Sequence, residues 1–288
     1  MNRTVRTGLA CAAALLLAGC AAAAWLAAPA PAPTATPASL ASAARPAAIT
    51  VMAAASLVEP CMEFKSLFEA IHSGARVEFN FANSQQLAQQ LANTAPADVF
   101  ASASTRHMDL AIASGRVSPT SVRTFARNRL VAIYPPSNPA GLAALPDLAR
   151  PGVKVILAAP EAPIGQYSLD FLDKAAADPA FGASFKAGVL KNVVSYEATV
   201  KGVLLKVALG EADAGIVYVS DVASDVSGEA AAPVRQLAIP DALNVSAVYP
   251  IAPLQDSPHR ELAQAFVDLV LSPAGQGALA RHGFLPAR

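Results

Sequence analysis

Cysteine, histidine and net charge are all scarce in this chain, and each scarcity removes a class of function. Only three cysteines occur, Cys11, Cys20 and Cys61. The first two belong to an N-terminal apolar run, so Cys61 stands alone in the body and offers neither a disulfide framework nor metal-ligand spacing. It reads as a small core residue. The four histidines, His72, His107, His259 and His282, are scattered without a pair at helical spacing, which leaves them local hydrogen-bonding roles. Charge is thin and balanced, with 21 basic against 21 acidic residues and 15% charged overall. A chain with no basic excess carries no electrostatic footprint for nucleic acid. No G-x-S-x-G elbow and no phosphate-binding glycine loop occurs. Catalytic triads assembled from distant residues leave no such local trace, so an enzyme is disfavoured rather than excluded.

What is present begins with an address. Arg3 and Arg6 precede a short apolar stretch from Gly8 to Gly19, which closes on Leu17-Ala18-Gly19-Cys20. A positive start, an apolar run and a small-residue site together describe a secretory signal over 1–20. The ending resembles a bacterial lipobox, which implies cleavage before Cys20 and a diacylglyceryl lipid on it. Gly8 to Ala28 is also long enough to span a bilayer uncleaved; on both readings the body lies outside the cytoplasm. Residues 21–48 are Ala, Pro, Thr and Ser, with Pro29, Pro31, Pro33, Pro37 and Pro46 spaced through them. That composition forbids a continuous helix and cannot bury a core, so it reads as a tether.

From Ile49 onward, strand and helix patterns alternate. Ile49 to Met52 is β-prone, and Leu57, Cys61, Phe64, Phe68 and Ile71 then recur at helical spacing. Ser56 and Glu59 fit a capping box that would start this helix at Ser56. Strands are predicted at Val77–Phe81, Val99–Phe100, Arg129–Tyr134, Val153–Leu157, Val193–Val194 and Ile216–Tyr218. Helices are predicted from Asn83-Ser84, after a Pro160–Gly165 loop, from Thr199 to a Gly210 stop, and over Leu262–Leu271. This alternation defines an α/β fold with mixed, mostly parallel sheets. Ligands of such sheets bind where strands run into helices. Here those junctions carry Ser56, Ser84, Ile164-Gly165, Thr199-Val200 and Tyr218, none of them charged. Free N–H groups at helix N-termini attract anions without a cationic side chain. Taken singly, each Ser or Thr has a plainer role as a helix cap.

These junctions resemble the molybdate-binding proteins of bacterial ABC importers. The resemblance is carried by Thr50-Val-Met-Ala-Ala-Ala-Ser-Leu57, Phe81-Ala-Asn-Ser-Gln-Gln-Leu-Ala88 and Ala95-Pro-Ala-Asp-Val-Phe100. It continues in Ala162-Pro-Ile-Gly-Gln-Tyr167, Gly210-Glu-Ala-Asp-Ala-Gly-Ile-Val-Tyr218 and His282-Gly-Phe284, in family order from Ile49 to the end. It implies a two-lobe periplasmic-binding-protein fold of type II, with the ligand in the interlobe cleft. Lobe 1 is expected over 49–130 plus 244–288, and lobe 2 over 131–243. By the same resemblance, Ser56, Ser84, Ile164, Val200 and Tyr218 hold a molybdate or tungstate oxyanion. Ala198-Thr199 and Lys201 depart from the usual residues around Val200, and Asp98 is expected to be structural. The implied partners are an ABC permease and, through Cys20, a membrane; no cofactor is expected, and the body is expected as a monomer. A binder of another anion or solute, or a non-transport receptor of the same fold, remains the alternative.

Overall fold

The computed structural model describes residues 47–223 and 233–287. The leader over 1–20, with Cys20, and the tether as far as residue 46 lie outside the described residues. Ala48, counted with the tether on sequence, already opens the first strand.

The first half of the fold is β1 (Ala48–Ala54), α1 (Val58–Ile71), β2 (Arg76–Ala82), α2 (Ser84–Ala92), β3 (Val99–Ala101), α3 (Thr105–Ala113) and β4 (Arg123–Asn128). The chain then crosses into β5 (Leu130–Tyr134), β6 (Val155–Ala158), α4 (Pro163–Ala177), α5 (Phe185–Lys191), β7 (Val193–Glu197), α6 (Val200–Ala208), β8 (Ala214–Tyr218) and β9 (Arg235–Ala238). It returns through β10 (Ala247–Pro253), α7 (Arg260–Leu271) and α8 (Pro273–Arg281). Among the described residues no helix is long and apolar enough to cross a membrane.

Two five-stranded sheets result, ordered β2-β1-β3-β10-β4 and β7-β6-β8-β5-β9. The plan is the same in both. Three strands on one side run parallel, and the last two join by antiparallel ladders. β6 and β8 are buried along their whole length, as expected for parallel strands covered on both faces. In the first sheet, α1 and α7 cover one face through Phe64, Phe68 and Phe266, whose rings meet edge to face. Leu87, Leu91, Phe100 and Met108 form a second cluster with α2 and α3.

The sequence pattern missed β10, and the reason is physical. The strand contains Pro250 and Pro253, and proline cannot donate to a ladder. It is accommodated because the β10–β4 register shifts between Tyr249 and Pro250.

The two sheets are joined where strands switch from one to the other. Only Arg129 separates β4 from β5. Asn244, on the returning crossing, clasps this point: its Oδ1 accepts from Leu130 N at 2.9 Å, and its Nδ2 donates to Leu130 O at 2.9 Å. Arg129 O also accepts from Val219 N at 2.8 Å. Asn244→Ala would strand two main-chain groups of the crossing. It should cost about 1–3 kcal/mol in denaturant unfolding of the anion-free protein.

Candidate functional site

All five junction residues line one small cavity. Ala54 ends β1, Ala55 and Ser56 come from the β1–α1 turn, Asn83 and Ser84 from the start of α2, and Ala103 from the segment after β3. Facing them are Ala162, Pro163 and Ile164 at the start of α4, Thr199 and Val200 at the start of α6, and Tyr218 at the end of β8. The cavity thus lies at the carboxyl ends of the parallel strands of both sheets, where strand-to-helix turns gather.

Ser56 does not cap a helix. A 3-10 turn over Ala55–Leu57 intervenes, α1 starts at Val58, and no side chain caps it. The tight turn keeps Ser56 inward, and its Oγ lies 3.0 Å from the Tyr249 hydroxyl. Glu59, the expected partner in the box, is instead bonded by Lys201 Nζ at 2.8 and 2.9 Å. For α2 the cap is Asn83, whose Oδ1 accepts from Gln86 N at 2.8 Å. Ser84 is therefore released from capping; fully buried, it accepts from Ala103 N at 2.9 Å. Asn83 also reaches across the cleft, donating from Nδ2 to Ala198 O at 3.0 Å.

On the facing side, α4 begins at Pro163, so the expected loop ends at Ala162 and Ile164 already sits in the first helical turn. Proline suits that position because its missing N–H would have had no partner. The amides of Ile164 and Gly165 follow it, with no intrahelical acceptor to use. Gly165 is required by contact: a Cβ there would lie 2.0 Å from Ala159 O. Val200 opens α6, where the Thr199 hydroxyl accepts from Gly202 N at 3.3 Å. That leaves the Val200 amide without a capping partner.

Tyr218 is 1% exposed, and its hydroxyl has no hydrogen-bond partner among the described residues. Burial raises its pKa well above the ordinary phenol value, with Tyr249 adding to the effect, so it stays a protonated donor. Buried hydroxyls are satisfied in nearly all proteins. An orphan facing a cavity of donors points to a ligand that accepts.

Among the described residues no cationic side chain lines the cavity. The nearest in sequence, Lys201, is committed to Glu59 across the cleft and to Asp221 Oδ1 at 3.1 Å. Burial pulls the Lys201 pKa down, but Asp221 and Glu59 outweigh it and the net shift is upward. Among the described residues no group of three or more His, Cys, Asp or Glu side chains could hold a metal ion. The donor set is made of hydroxyls, amides and helix N-termini, which favours an acceptor-only anion.

Other residues fall into structural places. Asp98 accepts from Thr50 N at 2.7 Å and from Ser257 Oγ at 2.5 Å, away from the cavity. Cys61 is buried in the core, and burial followed by the Glu59 charge raises its thiol pKa. Burial, then Arg106, lowers His107 to about 4, so it is neutral at pH 7. Sequence reasoning missed the Tyr249 contact, the Asn83–Ala198 bond and the Glu59–Lys201 pair. Each joins residues more than a hundred positions apart, and no local pattern signals them.

Two α/β halves meeting at a small donor-lined cavity suit a solute-binding protein. Residues 49–285 match the family described as bacterial extracellular solute-binding protein, and the chain belongs to that family. Its place of work is therefore outside the cytoplasm. Among its relatives is the molybdate-binding protein ModA of Mycobacterium tuberculosis, 38% identical over 239 residues, spanning 82% of this chain and 84% of the relative. Solved structures of like fold include the sulfate-binding protein SubI of M. tuberculosis, with TM-score 0.72 and 20% identity over 83% of this chain and 87% of that one. Another is the periplasmic molybdate-binding protein of Azotobacter vinelandii, with TM-score 0.68 and 20% identity over 82% of this chain and 98% of that one.

Asp221 provides a pH signature for the wall beside the cavity. Burial raises its pKa from 3.8 to about 6, against the lowering pull of Lys201. A carboxyl whose folded pKa lies above its unfolded one stabilises the fold at low pH and loses that contribution as pH rises through the folded value. Asp221→Asn lacks this loss. Thermal melting of the anion-free proteins should show the variant gaining on the wild type as pH climbs from 3.8 to about 6. A pH-independent difference would remove Asp221 as the titrating group.

Proposed function

We propose that this protein captures molybdate, or its congener tungstate, in the interlobe cleft and delivers it to an ABC permease. The observation that carries the reading is the convergence of neutral donors from both lobes on one cavity with the unpartnered Tyr218 hydroxyl among them. Ser56 and Ser84 supply hydroxyls from lobe 1, taken as 49–130 plus 244–288. Ile164, Val200 and Tyr218 supply two amides and a phenol from lobe 2, taken as 131–243. A tetrahedral dianion accepts from every direction, so both lobes are needed to satisfy it. Binding then favours the closed arrangement by the contacts made only there.

Fold likeness does not choose the anion, because it extends equally to a sulfate-binding protein. The choice of molybdate rests on the family relatives at 38% identity and on the matching junction residues. A body held near its permease by a lipid on Cys20 and a proline-rich tether fits the N-terminal sequence, and it works as a monomer without a cofactor.

Titration calorimetry of the soluble body should rank molybdate and tungstate well above sulfate and phosphate. No heat from molybdate would sink the reading. Ser84→Ala and Tyr218→Phe should each weaken molybdate binding by about 1–3 kcal/mol. Tyr218→Phe carries a second expectation of opposite sign. Removing a buried hydroxyl that has no partner should leave the anion-free protein as stable or more stable in thermal melts.

For the anchor, the intact mass of protein extracted from membranes should correspond to a chain starting at a lipid-bearing Cys20. A mass that retains Met1 would exclude it.

A further inference from the structure

Each cavity serine has a polar group behind it, and the two groups differ in kind. Behind Ser84 is the amide of Ala103 at 2.9 Å. An amide nitrogen can only donate, so it occupies a lone pair of Ser84 Oγ and leaves the hydroxyl hydrogen free to turn into the cavity. Behind Ser56 is the Tyr249 hydroxyl at 3.0 Å, and there either oxygen could be the donor. Tyr249 does not line the cavity. It is wholly buried in β10, at the register shift before Pro250.

Its ring is held by three aromatic neighbours, with centroids at 6.1 Å to Phe125, 5.9 Å to Tyr218 and 5.3 Å to Phe284. The hydroxyl therefore has little freedom to leave Ser56. Among the described residues Ser56 Oγ is the one hydrogen-bond partner of the Tyr249 hydroxyl. A buried phenol hydrogen needs an acceptor, and a phenol is the stronger donor of the two hydroxyls, so the Tyr249 hydrogen goes to Ser56 Oγ.

We propose that Tyr249 is a positioning and specificity-determining residue: it donates to Ser56 Oγ and so compels Ser56 to aim its hydrogen into the cleft. The inference rests on reading Ser56 as an anion ligand. A serine hydroxyl left to itself is amphoteric and accepts from a protonated anion as readily as it donates to a bare oxygen. Fixed from behind, it keeps its hydrogen for the cleft, as Ser84 does. Both serines are then biased to donate, which disfavours an oxyanion that carries its own proton, such as hydrogen phosphate. The bond from Tyr249 also polarises the Ser56 hydroxyl and strengthens it as a donor.

The test is a double-mutant cycle read by calorimetry with molybdate, using wild type, Tyr249→Phe, Ser56→Ala and the double variant. Tyr249→Phe keeps the ring and should lower affinity about fivefold to tenfold. In the Ser56→Ala background the same change should alter affinity by less than about twofold, because its effect passes through Ser56. The preference for molybdate over hydrogen phosphate should narrow in Tyr249→Phe. Losses that simply add, or an unchanged preference, would overturn the proposal and leave Tyr249 a packing residue.

Should the phenylalanine variant fail to fold, a ring-fluorinated tyrosine at position 249 tests the same point with little change of shape. A more acidic phenol is a stronger donor, so molybdate should bind more tightly; weaker binding would mean that Tyr249 accepts, against the proposal. A wild type that binds no oxyanion would overturn the reading of the site and this inference together. Oxyanion binding with an additive cycle would overturn this inference alone.

Discussion

Hydrogen-bond polarity is the constraint on which the rest of this structure depends. At the cleft, both serine oxygens are bonded from behind by protein groups, and hydroxyls and helix-start amides line the cavity. Ser84 accepts from Ala103 and Ser56 is paired with Tyr249. The Thr199 hydroxyl accepts within its own helix, and the first-turn amides of α4 and α6 have no helical acceptor. Lys201, next to Val200 in the chain, is committed to two carboxylates. A ligand entering this space is met by donors and by little net charge. Selection then depends on whether the ligand can accept in every direction, rather than on how negative it is.

The fold supplies this polarity by repeating one plan. Both sheets place three parallel strands in the same order, so both present strand-to-helix turns on the side that faces the cleft. Helix N-termini from the two lobes meet there, and their dipoles reinforce the side-chain donors. The two halves join at strand crossings clasped by Asn244 and Arg129. Contacts across the cleft are few and polar, including Asn83 to Ala198 and Glu59 to Lys201. Polar contacts of that kind can be exchanged for water on opening at modest cost.

Tyr218 and Tyr249 show how the same residue type serves two ends. Both are buried and both keep their protons, since burial raises each phenol pKa. Tyr249 is paired and sits behind the site, within an aromatic cluster that includes Phe125 and Phe284 from lobe 1. Tyr218 is unpaired and sits in the cavity wall. Their rings touch across the boundary between the sheets.

Much of the architecture was legible along the chain, because period and punctuation are local properties. Helical spacing from Leu57 to Ile71 and the apolar runs at Val99 and Ile216 mark elements whose type needs no distant partner. The junction residues were legible for the same reason: a strand running into a helix leaves free amides wherever it occurs. Local rules failed where distant contacts overrode them. The Ser56–Glu59 box does not form, because Lys201 draws Glu59 across the cleft and Tyr249 takes the serine. β10 was invisible because its prolines forbid a regular ladder, and only the register shift against β4 admits them.

The sequence by itself thus determined the alternation of strand and helix and the uncharged chemistry of the turns. Tertiary structure alone decided that turns from two sheets share one cavity. It also decided which hydroxyls are free to donate. Donor direction is a property of partners, and those partners, Ala103 behind Ser84 and Tyr249 behind Ser56, are brought up by folding from elsewhere in the chain.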